Sequence, residues 1–180
     1  MKKILVFSLA ILFSSSTIFA QETDTLFAKA DLDKNGVLSK EEFAAYQLDT
    51  VTLPSALVQS LSDAAAALAK DDLVGYQKHL PAILESVKQT TGAVRATLLP
   101  LSERLVPGTD LKTARKPFEP FSNAAANFVL AQPAANRQAK VFQCPMSPVL
   151  TVGRWIQKDN PKLQNPFFGS QMLTCGSEVK

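Results

Sequence analysis

Residues 31–42 of this 180-residue chain carry oxygen-bearing side chains at nearly every second position, and no other segment restricts the fold as strongly. These oxygen-bearing residues are Asp31, Asp33, Asn35, Ser39, Glu41 and Glu42. Gly36 lies in their midst and permits a sharp turn of the backbone. The segment is therefore predicted to be a tight loop whose oxygens can surround one hard cation.

The spacing is that of the twelve-residue EF-hand loop, and every position that the chemistry constrains is filled. In that loop Ca²⁺ is bound by side-chain oxygens at the first, third and fifth positions, a backbone carbonyl at the seventh, a direct or water-bridged oxygen at the ninth and a bidentate carboxylate at the twelfth. The predicted calcium ligands are thus Asp31, Asp33, Asn35, Val37 through its carbonyl, Ser39 and Glu42.

Aromatic residues flank the loop, and we expect Phe27, Phe43 and Tyr46 to lie on the inner faces of two short helices. A rigid helix-turn-helix that binds no metal remains an alternative. No second loop of this spacing occurs, so a structural or weak extracellular-type calcium site is favoured over a calcium switch.

The first 20 residues have the features of a Sec signal peptide. Lys2 and Lys3 precede an apolar run at 4–13, and Ala20 ends a plausible cleavage site. The apolar run is too short to span a bilayer, and no later stretch is long enough. We expect a periplasmic or secreted protein with no membrane span after cleavage.

Charge and side-chain inventory argue against two classes of function. The 19 basic residues include Lys2 and Lys3, so 17 remain against 16 acidic residues after cleavage, which is not the balance of a nucleic-acid-binding protein. The lone histidine, His79, has no nucleophile or carboxylate at a catalytic spacing, and no Gly-rich phosphate loop occurs. We do not expect an enzyme.

Four apolar stripes at helical spacing follow the loop and predict a mainly α fold, an antiparallel helical bundle behind an N-terminal EF-hand. The stripes are Leu53, Leu57, Leu61, Ala65 and Leu68; Leu73, Tyr76, Leu80, Ile83 or Leu84 and Val87; Val94, Leu98, Leu101 and Leu105; and Leu111, Ala114, Phe118, Phe121, Ala125 and Phe128. Prolines inside the stripes predict kinks or breaks at Pro81, Pro100, Pro117 and Pro120. The predicted domains are an EF-hand at 21–50 and a bundle at 51–180.

The last 40 residues, 141–180, form a short tail that is predicted to be irregular or β and is rich in Cys and Met. If this tail folds back on itself, its thiols and thioethers can converge on a site for Cu(I) or Ag(I), because soft sulfur donors select soft ions. These residues are Cys144, Met146, Met172 and Cys175. A Cys144–Cys175 disulfide is the alternative, and the spacing alone favours it in an oxidising compartment.

The tail resembles a small bacterial domain of unknown function, found alone in secreted proteins and appended to periplasmic adaptor subunits of copper/silver efflux systems. The matching segments are Gln143-Cys-Pro-Met-Ser147, Gly153-Arg-Trp-Ile156, Asn165-Pro-Phe-Phe-Gly169 and Met172-Leu-Thr-Cys-Gly176, with Ala69-Lys-Asp-Asp-Leu73 and Ala114-Arg115 through Phe118 to Ser122 in the helices. The resemblance implies a helical bundle and a Cys/Met tail that handles heavy metals. Carried over residue by residue, it points to Cys144, Met146, Met172 and Cys175 as the metal ligands. The fused calcium loop departs from the adaptors.

Two functions follow from these observations. The first is a periplasmic metal-binding protein that holds Ca²⁺ in the loop and Cu(I) in the tail, with a periplasmic protein of a heavy-metal efflux system as its expected partner. The second is a calcium-stabilised, non-catalytic interaction or structural module whose cysteines form a disulfide. The redox state of the two cysteines distinguishes them.

Overall fold

The structure, a computed structural model, divides the chain into two compact units, Met1–Gln47 and Leu48–Lys180. It describes residues 27–28, 30–43, 46, 52–132, 139–158 and 162–179. The predicted signal peptide lies outside these residues. Among the helices that are described, none has the length and apolar character needed to cross a membrane.

In the first unit, helical residues lie on both sides of the acidic loop. Positions 27, 28 and 30 are helical before it, and 40–43 and 46 are helical after it. Phe27 is 43% exposed and Phe43 is 48% exposed, so the prediction that these two rings face inward was wrong. Both rings lie close to the loop, where several of the described residues are open to solvent, as Leu32 at 68% and Val37 at 67% exposure show.

Four α-helices form most of the described part of the second unit, which confirms the mainly α prediction there. They are α1 (Ser55–Ala69), α2 (Leu73–Lys88), α3 (Gly92–Ser102) and α4 (Leu111–Ala131). Two of them begin at an aspartate cap, because the Asp72 carboxylate accepts a hydrogen bond from the Gly75 N–H and Asp110 accepts one from the Thr113 N–H, both at 2.8 Å.

The predicted apolar stripes supply the core of this unit. Leu57, Ile83, Leu98 and Phe121 are representative, since all four are completely buried and each comes from a different helix. The burial of Phe121 confirms the predicted phase of α4, although Phe128 is only partly buried because it lies at the edge of the same stripe. One face of each helix therefore packs inward, as the spacing predicts.

The expected breaks at the internal prolines do not occur. Pro81 lies within α2, Pro100 within α3, and Pro117 and Pro120 within α4, and each helix continues through them. All four prolines are at least partly exposed. Water can then bind the carbonyl that each proline leaves without a donor, and burial of the apolar face holds the helix together.

The tail forms a three-stranded antiparallel sheet in the order β2-β1-β3, so its β character is confirmed. The strands are β1 (Ala139–Cys144), β2 (Gly153–Lys158) and β3 (Ser177–Glu178), and a 3₁₀ helix at Gly169–Gln171 precedes β3. Strand β2 packs against both α1 and α4, which makes the sheet part of the core. Trp155 on β2 is completely buried and stacks on Phe142 of β1, with ring centroids 5.8 Å apart.

Two buried serines bind the outer strand of this sheet. The Ser122 hydroxyl on α4 donates to the Arg154 carbonyl at 3.0 Å, and the Ser62 hydroxyl on α1 accepts from the Lys158 N–H at 2.8 Å. Backbone groups of an edge strand need partners when they are buried. These hydroxyls supply them, and they fix β2 against both helices.

Candidate functional site

The acidic loop brings three carboxylates together in the first unit. One oxygen from each of Asp31, Asp33 and Glu42 lies within 4.8 Å of the others. Asp31 is 6% exposed and Glu42 is 9% exposed, whereas Asp33 is open to solvent. Three carboxylates held this close repel one another unless a cation or hydrogen-bond donors balance their charge.

Glu42, the last of the predicted ligands, is positioned by donors from inside the loop. Its Oε2 accepts hydrogen bonds from the Ser39 N–H at 2.9 Å and the Ser39 hydroxyl at 2.8 Å, and its Oε1 accepts one from the Leu32 N–H at 2.8 Å. The bonds from Ser39, followed by one from the Asp33 N–H, lower the pKa of Glu42 to about 2. Glu42 is therefore ionised at neutral pH, as a calcium ligand must be.

Asp31, the first predicted ligand, organises the turn. Its Oδ2 accepts from the Gly36 N–H at 2.8 Å and its Oδ1 from the Asn35 N–H at 3.1 Å. Gly36 has φ +80°, and a Cβ atom built there would meet nothing within 4 Å. Glycine is thus needed at this position for its backbone conformation rather than for space.

The remaining predicted ligands lie along the same loop. The Asn35 Oδ1 accepts from the Val37 N–H at 2.7 Å, and the Asn35 side-chain amide donates to Asp33 at 2.7 Å. Ser39 is tied to Glu42 by the bonds given above. Every candidate donor is oxygen and three are carboxylates, a set that fits Ca²⁺ and does not fit a soft ion.

The second candidate site is a pair of thiols in the tail. The Cys144 and Cys175 Sγ atoms are 3.3 Å apart, well beyond the S–S bond length of about 2.05 Å, so both are free thiols in contact. Cys144 is completely buried at the end of β1, and Cys175 is partly exposed. The hydrogen bond with Cys144 raises the pKa of the Cys175 thiol.

The two predicted thioether ligands occupy turns next to these thiols. Met146 follows β1 and is 58% exposed, and Met172 is 37% exposed. The Cys175 N–H donates to the Met172 carbonyl at 3.1 Å, which places Met172 and Cys175 in one turn. The structure therefore brings the cysteines together, leaves Met146 mostly in solvent and leaves Met172 partly exposed.

Asn165 holds the segment that carries Cys175. This completely buried side chain donates to the Cys175 carbonyl at 2.9 Å and accepts from the Phe167 N–H at 2.8 Å. Its own N–H donates to the Leu173 carbonyl at 2.7 Å. The Asn165-Pro166 dipeptide is a sequence signal for a turn, but it does not predict these hydrogen bonds.

Gly176 allows the same segment to approach β1 closely. Its φ is +136°, and a Cβ atom there would lie 2.5 Å from the Gln143 carbonyl oxygen and 3.0 Å from the Trp155 ring. A side chain cannot be accommodated against a backbone oxygen at that distance. Gly176 therefore permits the thiol of the preceding residue to reach Cys144.

Arg115 on α4 links the tail to the helices. Its Nε donates to the Pro166 carbonyl at 2.8 Å, its Nη2 donates to the Leu68 carbonyl at 2.6 Å, and it forms an ion pair with Asp71. Asp71 also accepts from the Ser170 N–H at 3.1 Å. Hydrogen bonding from Ser170, and to a smaller extent from Arg115, lowers the pKa of Asp71.

Comparisons of the chain with protein-family models, with curated proteins and with solved structures found no match.

Proposed function

We propose that this is a secreted or periplasmic, non-catalytic metal-binding protein that binds one Ca²⁺ ion in the loop from Asp31 to Glu42. The observation that carries the proposal is the convergence of the Asp31, Asp33 and Glu42 carboxylates within 4.8 Å. The twelve-residue EF-hand spacing supports it independently, because it supplies the further oxygens that Ca²⁺ requires.

Calcium would stabilise the loop by neutralising the repulsion among these carboxylates. A ligand that binds only the folded state adds stability in proportion to the logarithm of its concentration. A single loop in which three of the predicted ligands are exposed, Asp33, Asn35 and Val37, favours a structural site of modest affinity over a sensor. In this proposal Ca²⁺ braces the helix-loop-helix at the start of the mature chain.

The test is calcium titration of the mature chain by calorimetry, together with thermal melting with and without Ca²⁺. Glu42→Gln removes a charged donor and should abolish both the heat of binding and the calcium-dependent rise in melting temperature. Glu41→Gln is the matched control, since Glu41 is an exposed neighbour of the same charge. Equal calcium binding by the two variants, or no binding by the unmodified chain, would reject the proposal.

A second function is favoured by the contact between the Cys144 and Cys175 thiols. Two sulfur atoms 3.3 Å apart, next to turns that carry Met146 and Met172, offer the soft donors that Cu(I) and Ag(I) prefer. We propose Cu(I) binding here as the second candidate, with a periplasmic protein of a heavy-metal efflux system as partner. In this second candidate the loop from Asp31 to Glu42 would still bind Ca²⁺.

The copper candidate is tested by titrating the reduced chain with Cu(I) against a competing chelator. Binding should be lost in Cys144→Ser and weakened in Met172→Leu, and it should persist in Thr174→Ser, a conservative change at an exposed residue in the same turn. If the reduced chain takes up no Cu(I), the calcium-stabilised interaction module with a Cys144–Cys175 disulfide becomes the better description of the protein.

A further inference from the structure

We propose that the two tail cysteines form a thiol–disulfide exchange site, in which Cys175 reacts first with an external disulfide and Cys144 then closes the bond between them. This goes beyond the calcium and copper proposals, because it assigns a covalent reaction, a class of reactant and a different role to each sulfur. It rests on burial, contact and the surrounding hydrogen bonds.

The two thiols differ in their access to solvent. Cys144 is completely buried at the end of β1, where it is covered by the core, whereas Cys175 is partly exposed in the turn before β3. An external disulfide must approach the attacking sulfur directly, so a completely buried thiol cannot react first, and the raised pKa of Cys175 slows its attack without changing that order. Only Cys175 offers that access.

The second step is favoured by proximity. Once Cys175 carries a mixed disulfide, the Cys144 sulfur already lies next to it, 3.3 Å away in the free form. A disulfide bond needs about 2.05 Å, so the required movement is on the order of 1 Å. A group held this close reacts far faster than a second external thiol would.

The surrounding structure holds the pair in place through contacts that do not involve sulfur. Asn165 binds the Cys175 carbonyl, and Gly176 allows the chain to pass close to Gln143. Strand β3 then pairs with β1, with Ser177 opposite Gln143. The thiols are therefore brought together by the fold before any bond forms, which is the arrangement that intramolecular closure requires.

The reaction balances as two exchanges. The Cys175 sulfur loses its proton to solvent and attacks one sulfur of a disulfide RSSR, forming Cys175–S–S–R and releasing RS⁻, which takes up a proton. The Cys144 sulfur, also deprotonated, then attacks Cys175 and releases the second RS⁻. Two protein thiols are oxidised by two electrons, and one RSSR is reduced to two RSH.

The two turns beside the thiol pair carry no charged side chain of their own. No charged residue occurs at 145–153 or at 163–177, which include the turns on either side of the thiol pair. Met146 and Met172 add exposed apolar surface there. Charged side chains from the helices reach these segments, but Glu119 is buried against the Leu150 N–H, and Arg115 and Asp71 are paired with each other. The proposed reactant is therefore an organic disulfide without a required charge, and an uncharged probe such as hydroxyethyl disulfide is the appropriate one.

The experiment treats the reduced mature chain with hydroxyethyl disulfide and follows it by mass spectrometry. Cys144→Ser should accumulate one mixed disulfide at residue 175, because no thiol remains to displace it. Cys175→Ser should react at least roughly tenfold more slowly than the unmodified chain, because its remaining thiol, that of Cys144, is buried. The unmodified chain should lose both thiols together and retain no adduct.

A measurement on the unmodified chain makes the test independent of how the variants fold. Brief treatment with limiting iodoacetamide, followed by peptide mapping, should label Cys175 well before Cys144. Equal labelling of the two cysteines, or an unmodified chain that keeps its adduct without forming the Cys144–Cys175 bond, would overturn the proposal. Neither outcome affects calcium binding by the loop, so the two proposals fail separately.

Discussion

The side-chain amide of Asn165 donates a hydrogen bond to the backbone carbonyl of Cys175 over 2.9 Å. This one contact connects the turn after β2 with the segment that carries the partly exposed thiol. The same side chain accepts the Phe167 N–H, so a single buried residue satisfies two backbone groups that have no strand to bind them. Asn165 therefore fixes the Cys175 segment against the turn after β2.

Replacing Asn165 with Ala should lower the free energy of unfolding by about 1–3 kcal/mol, since it leaves buried backbone groups without partners. Urea denaturation followed by the fluorescence of Trp155, the only tryptophan, measures the change in the unit that contains it. Gln164→Ala is the control, because the bond from the Gln164 N–H to Gln157 survives the substitution. Equal stability of both variants would contradict this role.

Truncation of Phe118 should destabilise the second unit far more than truncation of Phe128. Phe118 is completely buried and meets the Tyr76 ring edge-on at 5.8 Å, so Phe118→Ala should cost about 3–5 kcal/mol. Phe128, on the same helix, is only partly buried and Phe128→Ala should cost clearly less. Denaturation curves that shift equally would show that the core does not centre on Phe118.

The Asp71 carboxylate should make the second unit lose stability in acid. Its pKa is lowered in the folded state, so its contribution is complete above the unfolded-state value of about 3.9 and is lost as the pH falls through the lower folded-state value. Asp71→Asn should be less stable than the unmodified chain at pH 7 and should approach it towards pH 2.

Asparagine is the suitable replacement at this position, because Asp71 has φ +59° and Asn tolerates the left-handed region. Unfolding free energies across the acid range provide the measurement. Two curves that stay parallel from neutral to acid pH would show that the interaction of Asp71 with Ser170 and Arg115 contributes no pH-dependent stability.

Gly176→Ala should disturb the tail because of both conformation and space. Strain at φ +136° costs on the order of 1–3 kcal/mol, and the new methyl group would also press against the Gln143 carbonyl. Trp155 fluorescence should report the loss, since the same methyl group would lie against that ring. Gly36→Ala is the comparison, because a methyl group at Gly36 would meet nothing within 4 Å. It should disturb the loop at 31–42 without changing Trp155 fluorescence.

Local pattern was enough to predict several features. The helical stripes follow from spacing along one helix at a time, and the burial of Leu57, Ile83, Leu98 and Phe121 confirms them. The loop donors come from twelve consecutive residues, so their convergence also follows from the sequence, whereas calcium binding itself stays a prediction. Interactions between near neighbours in the chain need no tertiary information.

Other features depend on residues far apart in the chain. Cys144 and Cys175 meet across 31 positions, and Arg115 reaches the Pro166 carbonyl across 51. Such contacts follow from strand register and from the packing of β2 on α1 and α4, and the spacing of residues along the chain does not encode either.

The sequence by itself determined where the apolar faces and the oxygen donors lie, because each arises from the geometry of a single turn, helix or loop. Only the tertiary structure decided that the helices continue through Pro81 and Pro117, that the tail sheet completes the core, and that one tail thiol is buried while the other meets solvent. These outcomes depend on which surfaces pack together. The free energy gained by packing segments that are distant in the chain outweighs the intrinsic helix or strand propensity of each residue.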